Sequence, residues 1–292
     1  MKNTLKQIFL LILLSGTLHA QNLTDLLSAT DRQNTFNVTY KIIDGDTLDL
    51  IFKYPPNFKK SKKYPIIIFF FGGGWNGGTT QQFKPHAAYF ASRGMITVLA
   101  DYRVKSRHQT TPYESVADAK SAIRFLREHA KVLNVNKKKI VASGGSAGGH
   151  LAAACGVLTG LDEPSEDLKI SSKANALVLF NPVFDNGPDG FQNERMGERW
   201  REISPAHNIE KGAPPTIVFL GTEDHLIPVE IAENYKAKME ALGGRCDLHL
   251  YEGEGHGFFN ESKKDGLYYK KTVHETDLFL ISLKYLKGEP QL

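Results

Sequence analysis

Ser146 lies at the centre of the stretch IVASGGSAGGHLAAA, residues 140–154, which decides the fold of the chain. The apolar residues at 140–143 predict a buried strand, and the alanine-rich residues after Ser146 predict a helix. Gly144 and Gly148 leave room for the strand and the helix to pack closely where the chain reverses. Such a turn holds the serine hydroxyl at a helix N-terminus, where free N–H groups favour an oxyanion. The stretch therefore predicts a nucleophilic serine, with an ordinary strand-to-helix turn as the alternative.

Apolar runs alternate with segments of helical periodicity along the rest of the chain. Buried strands are predicted at 65–71, 96–100, 140–143, 176–180, 216–220 and 247–251. Helices are predicted at 81–93, 113–133, from 147 onwards, at 228–242 and near 272–287. This alternation predicts a mostly parallel sheet with helices on both faces.

The ends of this pattern and one interruption complete the expected organisation. Residues 37–42 and 47–52 alternate in polarity around a short turn and predict an N-terminal antiparallel hairpin. The irregular residues 183–213 predict either a lid or binding loop, or a plain surface excursion. Because neither a linker nor an internal repeat is found, residues 21–292 are expected to form a single α/β domain.

The first twenty residues are predicted to be a signal peptide. Lys2 and Lys6 form a basic start, residues 8–14 form a short apolar core, and Ala20 is a small residue before the expected cleavage ahead of Gln21. No cysteine lies at this point, so a lipid anchor is not indicated, and no later run is long enough to span a bilayer. We therefore expect a secreted or periplasmic protein.

Charge and cysteine content exclude several other classes of function. The 292 residues carry a formal net charge of +4, and the lysine clusters at 59–63, 137–139 and 263–264 fall in predicted loops, so a nucleic-acid partner is not expected. Cys155 and Cys246 are expected to be unpaired thiols. Neither a metal-ligand spacing nor a cofactor motif is convincing, and the oligomeric state is not indicated.

Partners for Ser146 are predicted directly after later strands, because the carboxyl ends of parallel strands meet at one edge of a sheet. Asp224 follows the strand at 216–220, and His256 follows the strand at 247–251. Serine, acid and histidine in this order is the chain order of an α/β-hydrolase triad. Glu223 is an alternative acid, and Asp224 could instead cap the next helix.

A glycine run after the first buried strand supplies candidate amides for an oxyanion. Gly72-Gly73-Gly74 can present backbone N–H groups without obstruction, and the amide of Ala147 is a further donor. The same run also fits a dinucleotide motif with Gly77, and Asp101 then occupies the position of the ribose-binding acid. Bulky Trp75 and Asn76 inside the loop disfavour this alternative.

Several motifs together resemble the α/β-hydrolase superfamily, in particular the hormone-sensitive-lipase-like and feruloyl/acetyl-esterase-like carboxylesterases. The motifs are FGGGW at 71–75, ADYR at 100–103, GGSAGG at 144–149, GTED at 221–224 and GHGF at 255–258. The resemblance implies an α/β-hydrolase fold and an oxyanion hole made by Gly73, Gly74 and Ala147. Phe71 replaces the usual histidine of the first motif, and the large N-terminal helical cap of the lipase-like enzymes is not expected.

These features predict a secreted serine carboxylesterase. Ser146 is expected to attack the ester, His256 to take its proton and Asp224 to hold the imidazole, while Trp75 is expected to contact the substrate. Without a large cap, the site suits short-chain or aromatic acyl esters of bulky alcohols, such as acetylated or feruloylated carbohydrate. Asp101, Tyr102 and Arg103 are interpreted as structural or pocket-supporting residues, because a charged Asp–Arg pair at a strand end is commonly a brace. A prolyl-oligopeptidase-like peptidase and a catalytically silent binding protein of the same fold are the alternatives.

Overall fold

An eight-stranded sheet forms the centre of the described part of the chain. The computed structural model describes residues 35–43 and 45–292, so the predicted signal peptide at 1–20 lies outside the described residues. The strands are β1 (Phe36–Ile43), β2 (Asp46–Lys53), β3 (Tyr64–Phe70), β4 (Ile96–Ala100), β5 (Val135–Gly145), β6 (Ala176–Phe180), β7 (Thr216–Gly221) and β8 (Cys246–Tyr251). Their order across the sheet is β1-β2-β4-β3-β5-β6-β7-β8.

The sheet is parallel from β4 to β8 across its width, and antiparallel only at the β1–β2 and β2–β4 pairs. The predicted N-terminal hairpin is present as β1 and β2. Alternate residues of the central strand β3 pack on opposite faces: Ile66 and Ile68 belong to one apolar cluster, and Ile67 and Phe69 belong to the other. A strand buried on both faces needs the continuous apolar run seen in the sequence, and the predicted α/β-hydrolase fold is confirmed.

Helices cover both faces of this sheet. They are α1 (Lys84–Ser92), α2 (Lys105–His108), α3 (Pro112–Glu128), α4 (Ala147–Val157), α5 (Asn193–Met196), α6 (Trp200–Ile203), α7 (Val229–Ala241) and α8 (Leu267–Ser282). Helix α3 begins at a capping box, in which Thr111 and Glu114 satisfy each other's backbone amides. None of the helices in the described residues is both long and apolar enough to cross a membrane.

Helices α3 and α8 both end earlier than predicted. Helix α3 stops at Glu128 rather than at 133, and the chain turns through Asn134, at φ 59°, into β5. Helix α8 spans Leu267–Ser282 rather than 272–287, because Lys284 takes a left-handed conformation at φ 60°. Lys284 lies just after α8, where a left-handed residue returns the chain to the last carbonyl groups and terminates the helix.

The ADYR segment after β4 braces the fold through separate contacts. Asp101 pairs with Arg107 of α2, whereas Arg103 pairs with the fully buried Asp118 of α3 at 2.8 Å. Lys41 of β1 also binds Asp118, at 2.7 Å. A buried carboxylate needs such partners to offset its lost hydration. The expected bracing role is thus divided between two ion pairs, and Asp101 and Arg103 do not pair with each other.

Both cysteines are buried and free, as expected from the sequence. Cys155 lies in α4 beneath the glycine-rich turn, and Cys246 begins β8. Burial raises the pKa of each thiol to about 12, because a buried thiolate loses its hydration. Neither thiol is therefore available as a thiolate nucleophile near neutral pH.

Candidate active site

Ser146 occupies a strained turn between β5 and α4. Its backbone has φ 55° and ψ −121°, a conformation that residues with side chains rarely adopt. The turn is held on both sides, because the Ser146 amide donates to the Phe180 carbonyl at 3.0 Å and its carbonyl accepts from the His150 amide at 3.0 Å. The strain is therefore maintained by β6 and by the first turn of α4.

The glycines around Ser146 are required by close contacts between backbones. A Cβ atom placed on Gly144 would lie 2.2 Å from the Gly148 carbonyl oxygen. One placed on Gly148 would lie 2.1 Å from the Phe70 carbonyl oxygen. Both distances are far below van der Waals contact, so no side chain fits at either position. The close packing of strand and helix inferred from the sequence is present.

A hydrogen-bonded chain joins the predicted serine, histidine and acid. His256 Nε2 lies 2.9 Å from Ser146 Oγ, and His256 Nδ1 lies 2.8 Å from Asp224 Oδ2. The Asp224 side chain is fully buried, whereas the His256 side chain is 24% exposed. Ser146 is half-buried. The two groups that would meet a substrate are thus open to solvent, and the group that would orient the imidazole is not.

Asp224, rather than Glu223, contacts the imidazole. The second oxygen of Asp224, Oδ1, accepts from the amides of Leu226 at 2.9 Å and Ile227 at 3.0 Å. These amides fix the carboxylate with Oδ2 directed at His256. Glu223 is exposed. The two neighbouring carboxylates therefore point in different directions: Asp224 contacts the histidine, and Glu223 faces solvent.

The glycine loop after β3 lies beside Ser146. A Cβ atom placed on Gly72 would lie 3.3 Å from Ser146 Cβ and 2.9 Å from the Gly145 carbonyl oxygen. Gly73 and Gly74 have φ 131° and 61°, and their amides make no hydrogen bond within residues 35–43 and 45–292. The amide of Ala147 is the first of α4 and has no acceptor within the helix. Gly72 therefore brings the glycine loop against Ser146, and the amides of Gly73, Gly74 and Ala147 are free to bind an oxyanion.

Phe71, which stands where related motifs have histidine, is braced by Tyr102. The two rings stack with centroids 4.2 Å apart and an angle of 18° between their planes. The Tyr102 hydroxyl also donates to the Phe71 carbonyl at 2.6 Å. Both side chains are buried, so the stack and the hydrogen bond act without competition from water. The start of the glycine loop is therefore supported by an aromatic pair.

The structure places Trp75, which was expected to contact substrate, in the core rather than at the surface of the site. Its side chain is 0% exposed and packs edge-on against the His150 ring, with centroids 4.9 Å apart. Its backbone takes φ 55°, which turns the indole inward while the neighbouring glycines stay at the surface of the loop. Trp75 is a core residue beneath the glycine loop, and an aromatic residue next to a glycine run does not reveal by itself which way it points.

The 183–213 segment packs onto the glycine loop and α4. Arg195 of α5 donates from Nη1 to the Gly74 carbonyl at 2.6 Å. His150 Nε2 lies 2.8 Å from the Ile203 carbonyl. Burial lowers the pKa of His150 to about 4, so the ring is neutral near pH 7. The segment contains α5 and α6 and forms a wall next to the candidate site.

Sequence reasoning missed Asn181, Gln82 and Asn260. Asn181 is fully buried, and its Nδ2 lies 3.3 Å from His256 Nε2. Gln82 Oε1 accepts from the Gly72 amide at 2.7 Å, and Asn260 follows the histidine loop. A signal for Asn181 is present in the sequence, because it directly follows β6 at the edge of the sheet that also carries Asp224 and His256. A side-chain amide does not titrate, so no acid–base motif indicates it.

The arrangement is suited to acyl transfer. A serine hydroxyl that donates to an imidazole becomes nucleophilic when the imidazole takes its proton, and a buried carboxylate holds the ring in the required tautomer. The free amides beside the serine can stabilise an oxyanion. Across the described residues, no cluster of three or more His, Cys, Asp or Glu side chains could hold a metal ion.

Comparisons with known families place this site in a wider group. A family model described as BD-FAE matches residues 49–188, and a model described as the dienelactone hydrolase family matches residues 172–279. A solved structure of Thermogutta terrifontis esterase 2, phosphoramylated by tabun, is 44% identical with a TM-score of 0.85. The alignment covers 89% of this chain and 98% of that one.

Curated relatives are more distant and longer. An esterase, LipC, from Mycobacterium tuberculosis is 28% identical over 211 residues, which is 65% of this chain and 51% of the relative. An acetylxylan esterase from Xylanibacter ruminicola is 26% identical over 206 residues, which is 62% of this chain and 39% of the relative. The chain thus spans about half or less of the length of these curated relatives.

Proposed function

Because this chain belongs to the hormone-sensitive-lipase-like carboxylesterases of the α/β-hydrolase superfamily, we propose that it is a serine esterase that cleaves esters of short-chain or aromatic acids. The observation that carries the proposal is the chain of hydrogen bonds from Ser146 Oγ to His256, at 2.9 Å, and from His256 to buried Asp224, at 2.8 Å. The free amides of the adjoining glycine loop add the second element that ester hydrolysis requires.

The first step is acylation of Ser146. Its Oγ attacks the carbonyl carbon of the ester while His256 Nε2 takes the hydroxyl proton. The carbonyl oxygen becomes an oxyanion, which the amides of Gly73, Gly74 and Ala147 stabilise. His256 then returns the proton to the leaving alcohol oxygen as the carbon–oxygen bond breaks. The acid remains bound to the serine as an acyl-enzyme.

The second step repeats this chemistry with water. His256 takes a proton from a water molecule, whose oxygen attacks the acyl carbon and forms a second oxyanion. Collapse of this intermediate releases the carboxylic acid, and the proton passes from His256 back to Ser146 Oγ. In both steps Asp224 accepts the hydrogen bond from Nδ1–H and stabilises the imidazolium by its charge. Because Asp224 is buried, solvent screens this interaction little.

Acylated carbohydrate is the substrate class that we assign to this site. Ser146 and His256 are both open to solvent, which suits an ester carried on a bulky alcohol. One curated relative is an acetylxylan esterase, and a thermophilic esterase of Thermogutta terrifontis has been solved with propionate bound. Together these favour a small acyl group on a large polar alcohol over a long lipid tail.

Labelling with a fluorophosphonate tests the proposed nucleophile. The wild-type protein should be labelled on Ser146 and should lose activity towards p-nitrophenyl acetate in proportion. Ser146→Ala should show neither labelling nor hydrolysis, while Ser171→Ala, at an exposed serine away from the site, should behave like the wild type. A folded wild-type protein that is not labelled would overturn the assignment.

A substrate panel tests the proposed class. Release of acetate and ferulate from acylated xylo-oligosaccharides is compared with hydrolysis of long-chain triglycerides and of a proline-containing peptide amide. We expect the glycan esters to have the highest kcat/KM. Faster hydrolysis of the long-chain esters would contradict the open-site argument, and faster cleavage of the peptide would point to a peptidase.

Export is part of the proposal and is tested separately. Its support is the basic start, the short apolar core and the small residue of residues 1–20. Protein recovered from the periplasm or medium of expressing cells should begin at Gln21 by N-terminal sequencing. A protein that keeps residues 1–20 and stays in the cytoplasm would exclude export.

A further inference from the structure

Side-chain amides connect the glycine loop to the loop that carries His256. The Gly72 amide donates to Gln82 Oε1 at 2.7 Å, and Gln82 Nε2 donates to Asn260 Oδ1 at 3.0 Å. Asn260 Nδ2 then donates to the Gly257 carbonyl at 2.7 Å. Gly257, the residue directly after His256, is thereby tied to Gly72, the glycine beside Ser146.

The connection continues on the other side of Gly257. Its backbone amide donates to Asn181 Oδ1 at 2.9 Å, and Asn181 Nδ2 lies 3.3 Å from His256 Nε2. Asn181 is fully buried and follows β6, whose last carbonyl, that of Phe180, accepts the Ser146 amide. We call Gln82, Asn260 and Asn181 the amide chain.

The backbone fixes the direction of every member of the amide chain. Each side-chain amide has one acceptor oxygen and one donor NH₂ group. The Gly72 N–H requires the oxygen of Gln82, and the Gly257 carbonyl requires the NH₂ group of Asn260. The Gly257 N–H in turn requires the oxygen of Asn181. The NH₂ group of Asn181 must therefore face His256.

A donor facing Nε2 distinguishes the two protonation states of His256. In the neutral ring, Nδ1–H donates to Asp224 and the Nε2 lone pair accepts from Ser146 and Asn181. In the imidazolium, Nε2 carries a proton, and the Asn181 N–H then opposes another N–H. The contact with Asn181 therefore favours the neutral form, which is the general base of the proposed reaction.

We propose that the amide chain positions His256 and holds it in the neutral, Nδ1–H form, so that Nε2 is free to take the serine proton. This inference rests on the proposed esterase function. Asn181 acts directly on the imidazole, while Gln82 and Asn260 act through the two loops that they join. All are positioning residues, and none exchanges a proton with the substrate.

Other charged groups near His256 are engaged elsewhere or exposed. Asp224 contacts Nδ1 and, by its negative charge, stabilises the imidazolium. Glu254, on the histidine loop, pairs with Lys264. Glu223 and His225, which flank Asp224, are exposed. Among the contacts of His256 in the described residues, the one with Asn181 is therefore the one that opposes the imidazolium.

The test is Asn181→Asp, with the pH dependence of kcat/KM as the readout. The carboxylate keeps an acceptor for the Gly257 amide but places an oxygen, not a donor, against Nε2. It should stabilise the imidazolium and move the acid limb of the profile about 1–3 pH units higher, the range seen for an opposite charge in contact. The matched control Asn136→Asp makes the same change at the far end of β5 and should leave the profile in place.

Two outcomes overturn the inference while leaving the esterase proposal intact. A fully active Asn181→Asp with an unmoved acid limb would show that Asn181 does not act on the imidazole. If that variant fails to fold, Asn181→Ala provides the same readout: a merely structural role lowers kcat equally at every pH, whereas the inference requires an upward shift of the acid limb. A wild-type protein without esterase activity would refute the proposed function itself.

A double-mutant cycle tests whether the chain acts as a unit. Gln82→Ala and Asn260→Ala each break the link between the two loops, so each should lower kcat by about tenfold with little change in KM. The double variant should be about as active as either single one, because the link is already broken. Independent effects that multiply to about a hundredfold would contradict a connected chain.

Discussion

Buried His86 of α1 is expected to lower the stability of the fold at acid pH. Its side chain is 0% exposed, and neither ring nitrogen has a hydrogen-bond partner within the described residues. The ring lies among aromatic side chains, with centroids 4.8 Å from Tyr269, 5.0 Å from Phe83 and 5.3 Å from Phe180. Burial of the charged form lowers the pKa of His86 to about 3.

The direction of the effect follows from this lowered pKa. In the unfolded chain a histidine titrates near its ordinary pKa of 6.5, so below that pH the unfolded state binds a proton that folded His86 rejects. Stability is therefore intact above pH 6.5 and declines as the pH falls towards the folded pKa. At pH 4.5, two units below 6.5, His86 alone costs about 3 kcal/mol of unfolding free energy, at roughly 1.4 kcal/mol per pH unit.

The variant His86→Phe removes this cost. Urea unfolding at pH 7.5 and pH 4.5 gives the loss of stability on acidification for each protein, and the loss should be about 3 kcal/mol smaller in the variant. Any steric effect of the larger ring appears at both pH values and cancels. Exposed His274→Gln is the control and should lose as much stability as the wild type. An equal loss in wild type and His86→Phe would refute the reasoning.

Further predictions concern the bracing, the turn and the acid. Tyr102→Phe keeps the stack on Phe71 but removes the 2.6 Å hydrogen bond, and should lower the unfolding free energy in urea by about 1–3 kcal/mol. Gly148→Ala should cost about 3 kcal/mol or more or fail to fold, whereas Gly77→Ala, whose Cβ would meet its nearest atom at 3.6 Å, should unfold at nearly the wild-type urea concentration. Asp224→Asn should lower kcat by about 10³–10⁴ while the melting temperature stays near that of the wild type.

The sequence could predict that the serine, the acid and the histidine lie together, because their positions depend on strands with unambiguous apolar runs. Ser146, Asp224 and His256 each follow such a strand, and parallel strands bring their carboxyl ends to one edge of the sheet. The sequence alone could not choose firmly between Asp224 and Glu223. That choice depends on the amides of Leu226 and Ile227, which orient one carboxylate inward.

The direction of side chains in irregular loops could not be predicted. Trp75 lies in a glycine-rich loop with neither helical nor strand periodicity, so no pattern indicates whether it faces solvent or core. Its left-handed backbone, at φ 55°, places the indole against His150, which is far away in sequence. The position of residues 183–213 could not be predicted for the same reason. Their contacts with the glycine loop come from single side chains, such as Arg195 at the Gly74 carbonyl and Phe191 against Trp75.

The amide chain could not be predicted from the sequence, for a more general reason. Gln82, Asn181 and Asn260 lie on three separate parts of the sequence, and asparagine and glutamine are common in surface loops. These side chains are neutral, and each carries both a donor and an acceptor. A backbone group bonded to one amide therefore fixes the orientation of that amide and of the next one in the chain. A carboxylate or an ammonium group at the same positions would add a charge to the imidazole's surroundings and shift its proton equilibrium. Neutral side-chain amides are therefore better suited than charged groups to a site that needs a fixed histidine with an unprotonated Nε2, although no sequence motif identifies them.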